Sequence, residues 1–504
     1  MSRNQTNPAE DDVLLALAAG PGTLRNRLER GIIDAVASGR LAPGTALPPS
    51  RALADALGIS RWVVTEAYGH LVGKGFLEAR VGSATRVAAS AVTGPTPVAA
   101  APPPGASASR RKATARAERP ASGTPLEGAP ARAPYDLAPG VPDLRHVPRE
   151  AWLRAAREAL AEASNDDLAA QPWSGHPRAR AAVAGHLRRA RMAGGPEDAV
   201  VLTRGAADGM GRVAAALARA GHTHLLVEDP SWAPLRDVAA AHGLTPVPVP
   251  VDDDGLDVGA LVDAAARTGA RAALVTPAHQ FPTGAALSDE RRAALLAWAR
   301  DVDGLVVEDD YDAEFRYDRR PVAALQGLDP DRVLLLGSVS KTLSPAFRLG
   351  WAVVPARWRA AVAAASGPTP APSTLDQLAF ARLVSGGAYG RHLRAARTRY
   401  GRRRSALVAA LAQELPGARV GGISAGLHAV VDLGAGPGAG PGSADAADVV
   451  REAAARGVAV ADLRRYQAAP ATRSTVLVLG YGNLADARLE EAVRRLGEAV
   501  RAAR

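Results

Sequence analysis

Residues 333–341 read VLLLGSVSK, a short apolar run that ends in a glycine, two serines and a lysine. A run of this length, bounded by polar residues, is typical of a strand that is buried on both faces of a parallel sheet. Further runs of the same kind alternate with helical patterns, which predicts a mostly parallel, doubly wound α/β sheet. These runs are residues 199–202, 224–227, 272–275 and 305–307.

The lysine that ends this stretch, Lys341, is set apart by composition. The chain has only two other lysines, Lys74 and Lys112, although lysine and arginine together number 61. Arginine carries positive charge but cannot lose its proton and form an imine, whereas a lysine amine can do both. We therefore treat Lys341 as a candidate nucleophile.

Polar clusters directly follow several of the other runs. Residues 308–312 read EDDYD, residues 203–207 read TRGAA and residues 229–232 read DPSW, while Arg348 lies a short loop beyond Lys341. In open α/β sheets the carboxyl ends of the strands line the ligand site. A carboxylate there could keep a pyridine nitrogen protonated, an indole could stack on a flat ring, and a glycine turn could bind an anion. A divalent metal site in the acidic cluster is the less favoured alternative, and we predict no metal ligands.

The N-terminal part of the chain predicts a winged helix-turn-helix. Apolar residues recur at helical spacing from Leu24 to Val36, and the pattern ends at Gly39. A second, short helix is predicted to be capped by Ser50 and a third to begin at Ser60. Residues 76–80 and 85–87 then read as two strands of a hairpin wing.

Length and composition divide the chain further. At 504 residues it exceeds a single ordinary core. We expect a polar tail (1–20), a winged helix-turn-helix domain (21–88), a flexible linker rich in Ala, Pro and Gly (89–134), and a large α/β domain (135–504).

The charge balance and the absence of certain features bear on partners and location. The formal net charge of +10 favours a polyanionic partner, and a solvated basic surface is an equally good explanation. There is no cysteine, no apolar run long enough to cross a bilayer, and no signal-peptide pattern at the N-terminus. These features predict a cytoplasmic protein with no membrane partner.

Several longer stretches carry a family resemblance. The large domain resembles the fold-type-I enzymes that use pyridoxal 5′-phosphate (PLP), and the whole chain is similar to the MocR/GabR-type subfamily of GntR transcription regulators. The small domain resembles GntR regulators at residues 49–54 (PSRALA), 60–61 (SR) and 82–85 (GSAT). The stretches in the large domain are residues 276–284 (TPAHQFPTG), 308–318 (EDDYDAEFRYD) and 338–345 (SVSKTLSP).

This resemblance implies PLP as the cofactor and assigns residues to it. Lys341 would form an imine with PLP, Asp309 would pair with the pyridinium, Tyr311 would contact the ring hydroxyl, and Trp232 would stack on the ring. The phosphate would be held by Ser338, Arg348 and the backbone amides around Gly205 and Ala206.

The resemblance also implies a double-stranded DNA operator as a partner and a homodimer as the assembly. The third helix of the small domain would enter the major groove, with Arg61 at its N-terminus, and the wing would lie beside the minor groove. The residues expected at the DNA are Arg51, Ser60, Arg61, Thr65, Gly82 and Ser83.

The leading interpretation is a DNA-binding regulator whose large domain senses PLP, or PLP together with an amine or amino acid. The alternatives are an active aminotransferase with an accessory DNA-binding domain, and a repressor whose large domain only dimerises. Phe281 stands where aminotransferases place an asparagine, and Arg473 comes too early to assign as the arginine for a substrate carboxylate. We therefore expect exchange of the imine with an amine at most, without complete transamination.

Overall fold

The computed structural model describes residues 23–37, 40–73, 76–78, 85–88, 133–169, 171–317, 323–367, 371–434, 444–469 and 473–504. The predicted tail, nearly all of the predicted linker, and the wing residues Gly82 and Ser83 lie outside these ranges. The chain divides into two compact units, Met1–Arg132 and Ala133–Arg504.

The small unit consists of helices followed by a short antiparallel hairpin, as the sequence predicts. The hairpin pairs Leu77 with Val87 and Glu78 with Arg86. The second helix begins at Ser50 itself, and Pro49 occupies the cap position without a side-chain cap, so the prediction that Ser50 caps it is wrong. The elements are α1 (Leu24–Ala37), α2 (Ser50–Leu57), α3 (Arg61–Gly73), β1 (Leu77–Glu78) and β2 (Arg86–Val87).

The apolar faces of these helices form the core of the small unit. Leu28, Ile32, Leu53 and Leu71 are each 0% exposed, and burying a side chain of this size contributes roughly 1.5–3 kcal/mol. The hydroxyl of Tyr68, on α3, donates to the Pro48 carbonyl oxygen at 2.8 Å. Because one face of α3 is held in this way, its opposite face is left exposed.

The large unit is built on an eight-stranded sheet in the order β4-β11-β10-β9-β8-β5-β6-β7. Strands β10, β9, β8, β5 and β6 are parallel neighbours, and β11 runs antiparallel between β10 and β4. The doubly wound, mostly parallel sheet is thus confirmed. Its strands are β4 (Val200–Thr203), β5 (His224–Asp229), β6 (Thr245–Asp252), β7 (Gly255–Leu256), β8 (Ala272–Val275), β9 (Leu305–Asp310), β10 (Val333–Ser338) and β11 (Gly350–Val353).

A second, antiparallel sheet in the order β12-β13-β16-β15 lies in the C-terminal part of the chain, and the short strands β3 and β14 pair in parallel beside it. The N-terminal segment of the large unit is tied to this part, since Gly480 donates its amide to the Leu137 carbonyl oxygen at 2.7 Å. These strands are β3 (Tyr135–Asp136), β12 (Arg419–Gly421), β13 (His428–Asp432), β14 (Val458–Ala459), β15 (Ala461–Asp462) and β16 (Val476–Gly480).

Helices cover the sheets of the large unit. None of the helices in the described ranges combines the length and apolarity needed to cross a membrane. The helices are α4 (Arg149–Glu162), α5 (Asn165–Leu168), α6 (Pro177–Arg191), α7 (Ala206–Arg219), α8 (Ala233–Ala241), α9 (Val258–Thr268), α10 (Asp289–Asp301), α11 (Leu325–Leu328), α12 (Ala356–Ser366), α13 (Thr374–Ser385), α14 (Ala388–Glu414), α15 (Ala446–Ala455) and α16 (Leu489–Ala502).

Candidate functional site

The polar clusters of the sequence meet at one edge of the large sheet. Strands β4, β5, β8, β9 and β10 all run in one direction, so their carboxyl ends share that edge. Leu336 on β10 is level with Asp309 on β9, which brings the acidic cluster alongside the segment that leads to Lys341. The edge is the predicted position for a ligand in this type of sheet.

Lys341 lies three residues beyond the end of β10. Its amine donates a hydrogen bond to the Gly140 carbonyl oxygen and lies 5.2 Å from the centroid of the Trp232 ring. Burial lowers the pKa of Lys341, and the nearby carboxylates of Asp312 and Asp309 act in the opposite direction. A lysine with a lowered pKa holds more of the neutral, nucleophilic amine at neutral pH.

Asp309 is a buried carboxyl group that lacks a complete set of partners. It is 8% exposed, and its Oδ1 atom has no hydrogen-bond partner within the described ranges. Burial and the adjacent Asp310 raise the pKa of Asp309 to about 7, while the Lys341 charge opposes that rise. An unsatisfied buried carboxylate oxygen is costly, and a ligand that brings an N–H or a positive charge would relieve that cost.

The flanking carboxylates in the same stretch are engaged with the protein. Asp310 accepts a hydrogen bond from Arg191 at 2.7 Å, and Glu308 accepts from the backbone amides of Leu325 and Gln326 at 3.1 and 2.9 Å. The Oδ1 atom of Asp310 also lacks a hydrogen-bond partner within the described ranges, but its other oxygen is paired with Arg191, so Asp309 is the acid of this cluster that is best suited to a ligand.

Aromatic side chains surround the space next to Lys341. Phe281 packs edge-on against Trp232, with ring centroids 5.5 Å apart, and against Tyr466 and His428 at 5.0 Å each. Tyr311 also meets Phe281 nearly edge-on, at 6.2 Å. Trp232 is 37% exposed, so part of its ring is available to a flat ligand.

The glycine turn after β4 leaves room for an anion. Gly205 has φ +114° and precedes α7, and a Cβ added there would meet nothing within 4 Å. The amides at the start of a helix lack intrahelical partners and favour anions. Across the sheet, β11 begins at Gly350, which pairs with Ser338 on one side and Thr203 on the other. Ser338 and the Gly205 turn therefore flank the same position.

Arg348 lies in the loop beyond Lys341 and is exposed, with φ +46°. It directly follows the short helical turn 345–347, and no hydrogen bond or ion pair ties its guanidinium to another described side chain. Its distance from the Gly205 turn is not fixed by any contact. Among the residues predicted to hold the phosphate, Arg348 is thus the least constrained.

The residue expected to bind a substrate carboxylate is not found at the end of β16. Arg473 is near Asp445, at 3.8 Å, with 66% of its side chain exposed. His428 on β13 is level with Gly480 at the end of β16, and its ring faces Phe281. Burial and the neighbouring His279 lower the pKa of His428 well below its usual value, so this wall offers a neutral ring rather than a cation.

His279 and Asp312 lie within the longer motifs 276–284 and 308–318, and the sequence alone assigned neither of them a role. Both are buried, and His279 Nδ1 lies 2.9 Å from Asp312 Oδ2 and 3.1 Å from the Tyr311 hydroxyl. Two further residues of the site were not predicted from the sequence. They are Gly140, whose carbonyl oxygen accepts a hydrogen bond from Lys341, and Tyr466. The available signal was a histidine four residues beyond the end of β8, because the pairing with a residue 33 positions later depends on the fold.

In the small unit, the exposed starts of α2 and α3 carry the side chains expected at the DNA that lie within the described residues. Ser60 accepts a hydrogen bond from the Val63 amide at 3.4 Å and so caps the helix. Arg51, Arg61 and Thr65 are exposed, and Thr65 donates its hydroxyl to the Arg61 carbonyl oxygen at 3.0 Å. The exposed helix start carries free amides and positive charge, which suits a polyanion.

Two protein families match the two units. The family described as bacterial regulatory proteins of the gntR family matches residues 24–87, and the aminotransferase class I and II family matches residues 135–496. Together they span both described parts of the chain, in the order that the sequence predicts.

Individual relatives agree with this pairing. The HTH-type pyridoxine biosynthesis transcriptional regulator PdxR of Corynebacterium glutamicum is 34% identical over 416 residues, covering 82% of this chain and 83% of that protein. The probable rhizopine catabolism regulatory protein MocR of Rhizobium meliloti is also 34% identical, covering 74% of each. The structure of LysN, an α-aminoadipate aminotransferase from Thermus thermophilus complexed with N-(5′-phosphopyridoxyl)-L-leucine, matches with a TM-score of 0.64 and 26% identity, over 73% of this chain and 92% of that one.

A helix-turn-helix unit and an aminotransferase-type unit in one chain define a class of protein, the transcription regulators built on an aminotransferase fold. The chain belongs to the GntR family of bacterial regulators, in the MocR/GabR-type subfamily. The predicted resemblance and the prediction of a transcription regulator are both confirmed by these matches.

Proposed function

We propose that the large unit binds PLP through Lys341 and that this binding regulates the attachment of the small unit to operator DNA. The observation that carries the proposal is the buried Asp309, whose Oδ1 atom lacks a partner and whose carboxyl group interacts electrostatically with Lys341. A pyridine nitrogen and an aldehyde on one ring would satisfy both groups at once.

The residues around these two groups fit PLP. Asp309 would keep the pyridine nitrogen protonated, Tyr311 would face the ring hydroxyl, and the Trp232 ring would cover the face of the pyridine. When bound, PLP supplies an aldehyde that condenses with a primary amine, and its protonated ring withdraws electrons. The phosphate would lie at the free amides of Gly205 and Ala206, with Ser338 and Arg348 as further contacts.

DNA binding is the proposed role of the small unit. Arg51, Ser60, Arg61 and Thr65 lie on its exposed helix starts, and we propose that α3 reads the major groove. Gly82 and Ser83 are proposed as wing contacts, although they lie outside the described residues. An operator-binding protein of a bacterium acts in the cytoplasm, and we propose the cytoplasm as the location of this protein.

The effector is proposed to be PLP itself, with an amine or amino acid as the alternative. The two named relatives differ in the pathway that their names give, pyridoxine biosynthesis in one and rhizopine catabolism in the other. The aromatic wall around Phe281 and the neutral His428 offer no cation to an amino-acid carboxylate. This favours PLP, or an amine without a carboxylate, as the signal.

We further propose a homodimer of large units, because a two-fold assembly would match a repeated operator. Residues 89–134 would act as a flexible linker between residues 21–88 and residues 135–504, after a polar tail at 1–20. The effector would then act by favouring one arrangement of the small units over another, which requires different affinities for the two states.

A working aminotransferase is the second candidate function. It is favoured by one observation, the presence of both Lys341 and Asp309 at the carboxyl edge of the sheet. Against it stand Phe281, which has no hydrogen-bond donor, and the position of Arg473 beside Asp445. Measured turnover distinguishes the two candidates.

DNA footprinting on the region upstream of the gene for this protein and of its neighbouring genes, with and without PLP, tests the proposal. Wild-type protein is expected to protect a repeated site, and the protection should change when PLP is added. Lys341→Ala should lose the response to PLP, together with the borohydride-reducible bond. Lys112→Ala is the matched control and should behave as wild type. A reducible bond that maps to another lysine, or to none, contradicts the proposal.

A further inference from the structure

Asp312, His279 and Tyr311 form a continuous chain of polar contacts in the large unit. His279 and Asp312 are each 2% exposed. His279 Nδ1 lies 2.9 and 3.2 Å from the two carboxylate oxygens of Asp312, and the same nitrogen lies 3.1 Å from the Tyr311 hydroxyl oxygen. One imidazole nitrogen therefore faces both a carboxylate and a phenol.

The chemistry of these groups decides where the protons lie. An ionised carboxylate only accepts hydrogen bonds, so Nδ1 of His279 must carry the proton that it shares with Asp312. A ring nitrogen that carries a proton has no lone pair left to accept another. The hydroxyl of Tyr311 therefore cannot donate to His279. Without a ligand it hydrogen-bonds to the Asp312 carboxylate, and the oxygen of a bound ligand would take the place of that acceptor.

Tyr311 remains a protonated phenol in this setting. Burial raises the pKa of Tyr311 well above its usual value, and the negative charges of Asp312 and Asp309 act in the same direction. A side chain that keeps its proton at all ordinary pH values can serve as a permanent hydrogen-bond donor.

Close packing holds the His279–Asp312 pair in place. Gly426 has φ +70°, and a Cβ there would overlap both the His279 ring and the Asp312 carboxylate. On the other side, the His428 ring lies 4.8 Å from His279 and donates Nε2–H to the Pro282 carbonyl oxygen at 3.1 Å. The pair thus has little freedom to turn away from Tyr311.

We propose that Asp312 and His279 are a positioning pair that holds Tyr311 as the hydrogen-bond donor to the ring oxygen of bound PLP. The inference rests on the proposed PLP site and adds two residues to it. Phe281 lies edge-on to Tyr311 and has no hydrogen-bond donor for the ring oxygen. The hydrogen bond to the ring oxygen therefore depends more strongly on the orientation of Tyr311.

The same residues also form a cluster with metal-ligating side chains. Atoms of His279, Asp312 and His428 lie within 4.8 Å of one another. His279 Nδ1 and His428 Nε2 already make hydrogen bonds within the protein, which favours the positioning role. A stoichiometric metal ion in purified wild-type protein that is lost in Asp312→Asn would overturn the inference.

The test is the pH at which PLP bound to the full-length protein interconverts between its two absorbing forms. A hydrogen bond donated to the ring oxygen stabilises the anionic form, so its loss raises this pH midpoint. Tyr311→Phe is expected to raise the midpoint by about one to two pH units. His279→Leu should produce most of the same rise, and should add little in a Tyr311→Phe background, since coupled residues are not additive.

Conservative and remote variants separate positioning from simple structural damage. His279→Asn places an amide nitrogen near the position of Nδ1 and should restore the wild-type midpoint, whereas His279→Gln should not. His222→Gln, which alters a histidine before the amino end of β5, is the matched control. A pH midpoint in His279→Leu that equals the wild-type value would contradict the positioning role of His279. Failure of the wild-type protein to bind PLP would instead contradict the proposed function.

Discussion

The Lys341 amine lies over the Trp232 ring, 5.2 Å from its centroid, and at the same time donates to the Gly140 carbonyl oxygen. Gly140 has φ +101°, and a Cβ there would lie 3.4 Å from the amine and 3.8 Å from the indole. A nucleophile, a flat aromatic face and a backbone carbonyl therefore meet in one small space. This geometry suits a flat aldehyde that enters between the indole and the strand end.

The proposed stacking of Trp232 on PLP predicts a measurable change in affinity. Trp232→Ala should raise the dissociation constant for PLP by about 2- to 10-fold, because an aromatic pair contributes about 0.5–1.5 kcal/mol beyond the area it buries. Trp232→Phe should retain most of the affinity. The measurement is a PLP titration followed by absorbance, with the exposed Trp62→Ala in the small unit as control. Unchanged affinity in Trp232→Ala would place the ring elsewhere.

Asp309 makes the stability of the PLP-free protein depend on pH. Its pKa is raised to about 7 in the folded state, so the folded chain binds this proton more tightly than the unfolded chain does. The favourable contribution is complete below the unfolded pKa, which is near 3.8, and it is lost as the pH rises through about 7. Apoprotein carrying Asp309→Asn should therefore gain stability relative to wild type as the pH rises, by a few kcal/mol at about pH 8.

Denaturant unfolding of the apoproteins across this pH range checks the prediction. Adding PLP should reverse the order of stability, so that wild type becomes more stable than Asp309→Asn. The wild-type carboxylate can then pair with a protonated ring, and the asparagine cannot. Asp329→Asn is the control, since that carboxylate already has Arg300 as a partner at 2.9 Å. A constant difference between wild type and Asp309→Asn at all pH values would mean that Asp309 does not titrate as stated.

Arg61, at the start of α3, should carry part of the operator affinity. Arg61→Ala is expected to weaken specific DNA binding by about 10- to 100-fold, the effect of losing one bidentate arginine–guanine contact of roughly 1–3 kcal/mol. PLP absorbance should not change, because the substitution lies in the other unit. Arg30→Ala removes the same charge from α1 and serves as the control in binding assays at fixed salt. Equal losses in the two variants would indicate a charge effect rather than base recognition.

The large unit should bind amines without rapid turnover. Phe281 lies in the aromatic wall and Arg473 lies beside Asp445, so neither of these two residues gives an amino-acid carboxylate a secured contact. Mixing PLP-loaded protein with a panel of amino acids and amines, with α-ketoglutarate or pyruvate present, should change the spectrum and form little product. Turnover at about 1 per second or faster would make the aminotransferase the better description.

Local patterns determined much of the fold. The apolar runs that end at residues 202, 227, 275, 307 and 336 all became strands of one sheet, because such runs are stable only when both faces are covered. The helical spacing from Leu24 to Val36 likewise gave a helix. Ser50 was assigned wrongly as a cap, because Pro49 can fill that position and a serine is also compatible with the first turn.

The sequence by itself singled out Lys341, since a lone lysine in an arginine-rich domain stands out without any structure. It could also place Asp309 and Trp232 after strand ends, where parallel strands bring residues to a common edge. Only the tertiary structure decided which acid of residues 308–312 accepts no hydrogen bond from another described residue, because Asp310 accepts one from Arg191 of α6 and Glu308 accepts two from amides of α11. The pairing of His279 with Asp312 and the wall formed by His428 and Tyr466 likewise join distant segments. Burial and hydrogen-bond satisfaction are properties of the packed chain, and no local pattern determines them.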